Sequence, residues 1–230
     1  MAIIVGGKTT GTGAEVETNT LALRASQRPI GLNQQIPYTG SYTLGIDNGA
    51  VEMTAGAQTD AEIFQWRWTD ERVACLVRSI RLSCGTKIAF AGGRLKFDLF
   101  FATKWTGIGS GGSTPILTGR NSSKRTAFPT TAAPSSSIMI ANTAPLTAGT
   151  KTLDASPLAS WSMGATATIG PVDTNRGMIS LWQRDTADEY PLVLGFNEGF
   201  VIRVTCPATG TWYFGVNVEW CEMEARSYFG

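Results

Sequence analysis

The chain has 230 residues and a formal net charge of +1, with 43% hydrophobic and 10% aromatic residues. This length is enough to bury one large hydrophobic core or two modest ones. The nearly balanced charge gives no sign of binding to nucleic acid or to a membrane surface. Only 16% of the residues are charged, compared with about 25% in an average soluble domain. Such a surface is expected of a chain packed against neighbouring subunits, or of an ordinary β-rich domain, since threonine favours strands.

The sequence contains no histidine. Serine–histidine and cysteine–histidine catalysis is therefore excluded, and the commonest transition-metal ligand is missing. The four cysteines do not have the spacing of zinc ligands. We expect free thiols, because the predicted strands place no two cysteines directly opposite each other, although a pairing of Cys75 with Cys221 stays open. We expect no cofactor, no metal ion and no enzymatic activity.

The start of the chain does not resemble a secretory signal. Residues 1–5 are too few for the hydrophobic region of a signal peptide, and no basic residue precedes them. Elsewhere, no apolar run approaches the ~18 residues of a membrane-spanning helix. We therefore expect the protein to fold in a cytosol.

Residues 1–60 are predicted to form an extended N-terminal arm. They are rich in Gly, Thr, Ala, Asn and Gln, and Tyr38 and Tyr42 are their only aromatic residues. One short strand is predicted at residues 42–46. A segment of this composition does not bury enough apolar surface to fold by itself. We expect neighbouring subunits to hold the arm, and the alternative is that it folds back on its own domain.

Residues 61–230 are predicted to form an all-β domain, either a β-sandwich or a jelly roll. Apolar and polar residues alternate in several segments, as in strands with one buried face. The predicted strands are 64–68, 73–83, 94–103, 178–182 and 192–194. Arg78 interrupts the apolar face of its strand and so predicts a sheet edge or an interface. No segment predicts a helix of ten or more residues.

The clearest alternation lies near the C-terminus. Residues 200–204 and 211–223 are predicted to pair as an antiparallel hairpin around a Pro/Gly turn. In the second strand, one face is predicted to be buried. Its members are Trp212, Phe214, Val216, Val218 and Trp220, and they alternate with Tyr213, Gly215, Asn217, Glu219 and Cys221.

Residues 106–160 are predicted to form a long loop rich in Gly, Ser, Thr, Ala and Pro, with a short strand at 137–141. The loop carries the basic residues Arg120, Lys124, Arg125 and Lys151, and Asp154 is its only acidic residue. Loops of this length inside a compact domain are usually functional. We expect an interaction loop, with a solvated surface loop as the alternative.

Carboxylates and tryptophans supply two alternative sites. Acid pairs that a glycosidase would need occur in three groups, namely Asp70 with Glu71, then Asp185, Asp188 and Glu189, and then Glu219, Glu222 and Glu224. The first two groups lie in turn sequences, where aspartate favours backbone capping. Trp105, Trp161 and Trp182 lie outside the clean strand faces and are candidates for sugar binding, although packing in a core or an interface is the favoured interpretation.

Several segments resemble structural proteins of tailed-bacteriophage virions. They are residues 63–70, 77–83, 197–203, 208–212 and 216–220. The resemblance implies a β-rich head decoration (cement) protein that binds the major capsid protein and adds interfaces to the shell. It implies a homo-oligomer, with a trimer favoured, located on the capsid surface after assembly in the host cytoplasm. An alternative is a carbohydrate-binding or tail receptor-binding module of the virion.

We expect the arm and the loop to supply the contacts with the shell. The expected interface residues are Met1, Ile3, Ile4, Val5, Tyr38, Tyr42, Arg78, Arg120, Lys124, Arg125 and Trp161. The expected partners are the major capsid protein and further copies of this chain, with neither nucleic acid nor a membrane among them.

Overall fold

The computed structural model describes eight parts of the chain, which are residues 15–16, 23–24, 40–49, 53–54, 59–117, 130–165, 178–184 and 192–225. The chain divides into two compact units, Met1–Asn33 and Gln34–Gly230. In the first unit, strands β1 (Glu15–Val16) and β2 (Leu23–Arg24) pair in the antiparallel direction.

The described residues of the second unit form thirteen strands and one short 3-10 turn. The strands are β3 (Gly40–Asp47), β4 (Met53–Thr54), β5 (Ala61–Arg67), β6 (Val73–Ile88), β7 (Gly93–Gly107), β8 (Gly112–Ser113), β9 (Ile138–Ala141), β10 (Thr150–Leu153), β11 (Ala159–Ala165), β12 (Ile179–Gln183), β13 (Leu192–Leu194), β14 (Gly199–Thr205) and β15 (Thr211–Glu224). The turn comprises Ser135–Ser137.

These strands form two antiparallel sheets. The first sheet has the order β10-β7-β14-β5-β9-β8, and β11 also pairs with β7. The second sheet has the order β12-β6-β15-β3, with β13 paired to β6 and β4 paired to β15. The main strands therefore follow the orders β5-β14-β7-β10 and β3-β15-β6-β12, in which the chain passes repeatedly from one sheet to the other. This is the strand order of a jelly roll. The predicted all-β sandwich is confirmed.

Aromatic side chains hold the two sheets together. Trp66 of the first sheet meets Trp220 of the second edge-on, with ring centroids 4.7 Å apart. Phe97 and Trp212 make a second contact across the core, with centroids 6.0 Å apart. All four side chains are fully buried. Because each large aromatic side chain removes about 150–250 Å² from water, these contacts make a major contribution to folding.

The predicted C-terminal hairpin is wrong, although both of its strands exist. β14 lies between β7 and β5 in the first sheet, whereas β15 lies between β6 and β3 in the second. The turn between them therefore crosses from one sheet to the other. The predicted alternation in β15 is confirmed, because Trp212 and the next four alternate residues up to Trp220 are buried. Alternation reports one buried face of a strand, but it does not identify the neighbouring strands.

A β-bulge explains the position of Arg78. Glu219 pairs with Ser79 and Trp220 pairs with Val77, so Arg78 is the extra residue and is exposed. Because β6 lies between β15 and the strands β12 and β13, the predicted sheet edge at Arg78 is wrong. Beyond a bulge the faces of a strand are exchanged. Leu76 therefore lies in a small apolar cluster separate from the main core.

The sandwich also includes segments that the sequence assigned to the arm and the loop. β3 and β4 pair with β15, and β3 confirms the strand predicted at residues 42–46. Within residues 106–160, β9 confirms the strand predicted at 137–141 and pairs with β5. β10 and β11 both pair with β7. We call the described residues 106–117 and 130–160 the excursion.

Candidate functional site

The described part of the chain does not bring the predicted interface residues together on one surface. Tyr42 is 1% exposed and stacks on Trp220 with centroids 5.5 Å apart, so its ring belongs to the core and not to an interface. Arg78 is exposed on the second sheet. Trp161 is half-buried on β11 of the first sheet, against Phe97. The other predicted residues lie outside the described ranges, and they are Met1, Ile3, Ile4, Val5, Tyr38, Arg120, Lys124 and Arg125.

A buried network of charged and polar side chains surrounds Glu62 on β5. Its Oε2 atom accepts hydrogen bonds from Lys151 Nζ at 2.7 Å and from Gln65 Nε2 at 2.6 Å. Its Oε1 atom accepts a hydrogen bond from Arg203 at 3.1 Å. The arrangement places two cations and one carboxamide around a single carboxylate. We call these four residues the Glu62 network.

The Glu62 network lies on the outer face of the first sheet because β5 contains a bulge. The pairing of β5 with β14 shifts at Ile63, so that Phe64 pairs with Ile202 and Glu62 pairs with Arg203. Without the shift, Glu62 and Phe64 would share one face, because strand side chains alternate. The bulge keeps Phe64 in the core and turns Glu62 to the outer face. Sequence analysis missed this network, and its one visible signal is the carboxylate of Glu62 directly before Ile63 and Phe64 within the strand.

Burial controls the electrostatics of the network. The side chains of Lys151 and Glu62 are only 3% and 5% exposed. Burial lowers the pKa of Lys151, against the opposing effect of its hydrogen bond and charge interaction with Glu62. The ammonium also lies 5.0 Å from the ring centroid of Trp105, an additional favourable contact. Removing one partner of a buried ion pair leaves the other charge uncompensated, which is strongly destabilising.

The excursion covers the Glu62 network through backbone hydrogen bonds. The amide N–H of Gly109 donates to Gln65 Oε1 at 2.8 Å, and Gln65 Nε2 donates to the carbonyl of Thr147 at 2.7 Å. The N–H of Leu146 donates to the carbonyl of Glu62 at 2.8 Å. Gln65 is thereby fully buried. The described excursion is therefore attached to the sheet by specific polar contacts, and is not a solvated surface loop at these residues.

Gly109 is required by this close approach. A Cβ atom at this position would lie 1.9 Å from the Thr147 carbonyl oxygen and 2.8 Å from Gln65 Nε2. A side chain would therefore force the backbone or the buried glutamine to move. The glycine-rich composition of the segment reflects packing against the sheet at this point.

Glu222 forms a second attachment of the excursion. Its carboxylate accepts hydrogen bonds from the Thr131 hydroxyl, from the Ala132 amide at 3.0 Å and from Trp220 Nε1 at 3.0 Å. Glu222 is 4% exposed. Burial raises its pKa, and the three donors oppose that shift because they favour the ionised form. Glu222 was one of the carboxylates considered for acid-pair catalysis, and here its described contacts fix a segment of the fold.

The other carboxylate groups also have structural contacts where they are described. Asp70 accepts hydrogen bonds from the amides of Arg72 at 2.8 Å and Val73 at 3.1 Å, which is the predicted backbone capping. Asp98 on β7 is also buried, and it contacts Lys96 at 2.5 Å and Ser160 at 2.6 Å. The candidates Asp185, Asp188 and Glu189 lie outside the described residues.

The four cysteines are free thiols, as predicted. Burial raises the pKa of Cys84 to about 11 and that of Cys206 to about 12. Burial also raises the pKa of Cys75 well above its ordinary value. Because the thiolate is the reactive form, these three thiols are poor nucleophiles at neutral pH.

Tryptophans do not form an exposed platform. All seven lie in described residues. Trp66, Trp68, Trp105, Trp212 and Trp220 are fully buried. Trp161 and Trp182 are half-buried and pack against the core. Within the described ranges, the large apolar side chains that are exposed are Ile88, Ile116, Leu158, Met178, Phe196 and Tyr213.

Within the described ranges, no group of three or more cysteine, aspartate or glutamate side chains is placed to hold a metal ion. The same ranges contain no helix long and apolar enough to cross a membrane. The chain matches no protein-family model, and no curated protein matches it.

Proposed function

We propose that this chain is a head decoration (cement) protein of a tailed-bacteriophage virion. It binds the shell of major capsid protein and stabilises it by adding interfaces between subunits. The jelly-roll order of the two sheets carries this proposal, because viral capsid proteins commonly use this fold. A fold alone does not decide a function. The resemblance of residues 63–70 and 197–203 to phage virion proteins supplies the second line of support.

The chemistry of the described residues supports a structural role. The buried ionisable side chains Glu62, Asp98, Lys151 and Glu222 contact other parts of the same chain. Their contacts attach the excursion or join neighbouring strands, which is the role expected of buried polar groups in a scaffold.

Many weak contacts are sufficient for such a protein. A specific interface of standard size buries about 1,600 Å². On a shell, each molecule meets several identical neighbours, so modest single interfaces produce strong overall binding. A trimer would present three copies of the same surface to a threefold position of the lattice. We propose that the N-terminal unit and the basic segment of residues 118–129 contact the shell.

Co-sedimentation with shells of the corresponding major capsid protein tests the proposal. The full chain is expected to sediment with the shells and to raise the temperature at which they break. Deletion of residues 1–33 removes the first compact unit and leaves β3 intact, and is expected to abolish binding. A matched control carries Glu219→Ala on the second sheet and is expected to bind normally. Retained binding by the deletion variant would exclude the N-terminal unit as the contact.

The alternative of a carbohydrate-binding or receptor-binding module has less support from the structure. Jelly rolls also occur in lectins, but the alternative requires exposed aromatic rings for sugar stacking. The tryptophans are buried or half-buried, and Tyr213 and Phe196 are the exposed large aromatic residues in the described ranges. A glycan array with reproducible hits that Tyr213→Ser abolishes would favour this alternative over the decoration protein.

A further inference from the structure

The Glu62 network contains the three chemical groups needed to form an amide crosslink. Lys151 supplies an amine, Gln65 a carboxamide and Glu62 a carboxylate. Both nitrogen atoms contact the same carboxylate oxygen, Lys151 Nζ at 2.7 Å and Gln65 Nε2 at 2.6 Å. The carboxamide also binds the backbone of the excursion at Gly109 and Thr147, and these contacts fix its orientation. The shared oxygen therefore lies within hydrogen-bond distance of both the amine nitrogen and the amide nitrogen.

We propose that Lys151 and Gln65 become joined by an intramolecular isopeptide bond, with Glu62 carrying the protons. In this reaction Nζ of Lys151 forms a bond to Cδ of Gln65, and the bond between Cδ and Nε2 breaks. Glu62 takes a proton from the amine and gives a proton to Nε2, which leaves as ammonia. No atom is oxidised or reduced, and no other reactant takes part.

The surroundings of the carboxamide favour this reaction. The amide N–H of Gly109 donates to Gln65 Oε1 at 2.8 Å and is positioned to stabilise the negative charge that this oxygen gains during attack. Gln65 is fully buried and the side chain of Lys151 is 3% exposed, so bulk water has little access to the reacting groups. Burial lowers the pKa of Lys151, which increases the neutral, nucleophilic fraction of the amine.

The proposed bond would connect the core strand β5 with β10 at the edge of the first sheet. It would fix the excursion to the sheet covalently at the place where the hydrogen bonds already hold it. A covalent closure restricts the unfolded chain and so favours the folded one. For a protein that resists the internal pressure of a filled shell, the bond would add resistance to unfolding. The chemical inference itself does not depend on the proposed function.

Intact-mass measurement of the folded, purified full chain tests the proposal. The wild-type mass is expected to be lower than the calculated mass by one ammonia molecule. Lys151→Arg keeps a cation beside Glu62 but blocks the reaction, and is expected to show its full calculated mass. Lys96→Arg is the matched control, because Lys96 contacts Asp98 on the same sheet, and is expected to lose ammonia like the wild type. Proteolysis of the wild type should give one branched peptide containing both Gln65 and Lys151.

Three results would overturn the proposal. A wild-type chain that keeps its full mass after prolonged incubation in the folded state would show that the bond does not form. Loss of ammonia that persists in Lys151→Arg would place the reaction elsewhere. Loss of ammonia that persists at the same rate in Glu62→Gln would remove Glu62 from its role as proton carrier.

Discussion

The outer faces of the two sheets differ in how their polar residues are used. On the first sheet, Glu62 and Gln65 are buried beneath the excursion and contact each other and its backbone. On the second sheet, Asn217 is half-buried and pairs with the half-buried Arg81 on one side and the exposed Gly45 on the other. A polar residue on a strand therefore either lies at the protein surface or is buried where a covering segment binds the sheet. The difference is set by the covering segment and not by the strand itself.

The largest expected effect is on the covered face. Glu62→Ala leaves the buried Lys151 side chain and the half-buried Arg203 without their carboxylate, and is expected to lower the free energy of unfolding by about 3–5 kcal/mol. The control is Glu219→Ala on the second sheet, which is expected to change it by less than about 0.5 kcal/mol. Urea unfolding of both variants gives the two values. Equal effects would show that the two faces do not differ.

Two glycine-to-alanine substitutions test how closely the excursion packs against the first sheet. Gly109→Ala places a Cβ atom 1.9 Å from the Thr147 carbonyl oxygen, and is expected to destabilise the fold by about 1–3 kcal/mol through overpacking. Gly92→Ala is the control, because no heavy atom lies within 4 Å of its added Cβ. Thermal unfolding of the two variants measures the difference. A Gly109→Ala variant as stable as Gly92→Ala would mean that the excursion is not held against Gln65.

The contribution of Glu222 to the stability of the fold is expected to depend on pH. Its pKa is raised by burial, so the folded state binds the proton more tightly than the unfolded state. This contribution to the free energy of unfolding is fully present below the pKa of glutamate in the unfolded chain, about 4.3. It is lost as the pH rises through the pKa of Glu222 in the folded protein. Compared with Glu222→Gln, the wild type should therefore lose stability as pH rises from about 4. Urea midpoints for both proteins across this range measure the slope, and a difference independent of pH would contradict the assignment.

The smallest expected effect is at Tyr213, which is exposed on the second sheet. The ring of Tyr213 lies over Gly85 on the neighbouring strand, where an added Cβ would be 2.5 Å from the Tyr213 ring. Tyr213→Ser removes this cross-strand contact and is expected to cost less than about 1 kcal/mol. Guanidinium unfolding measures the cost. A loss as large as that of Glu62→Ala would mean that Tyr213 is as important for folding as the buried network.

The fold was largely predictable because the strands have one strongly apolar face. Alternation in β15 and the aromatic residues of β5 indicated a sandwich, and the structure confirms it. The pairing of strands was not predictable in the same way. β14 and β15 follow one another with a turn between them, yet they lie in different sheets.

The Glu62 network was not predictable because it depends on a bulge and on the excursion, which is distant in sequence and covers it. The shift at Ile63 reverses the face on which Glu62 lies, and no local pattern marks it. Lys151 reaches Glu62 from 89 residues away in the chain. Arg78 shows the same limit of sequence reasoning. The sequence predicted a sheet edge or an interface there, whereas Arg78 is the extra residue of a bulge in β6, which has neighbouring strands on both sides.

Electron cryo-microscopy of shells mixed with this chain tests the proposed function most directly. We predict density for the jelly roll on the outer surface of the head lattice, in contact with at least two copies of the major capsid protein. We also predict that the density is lost with the variant lacking residues 1–33. Shells that remain bare at saturating concentrations of the full chain, or density confined to the tail of the virion, would contradict a decoration protein.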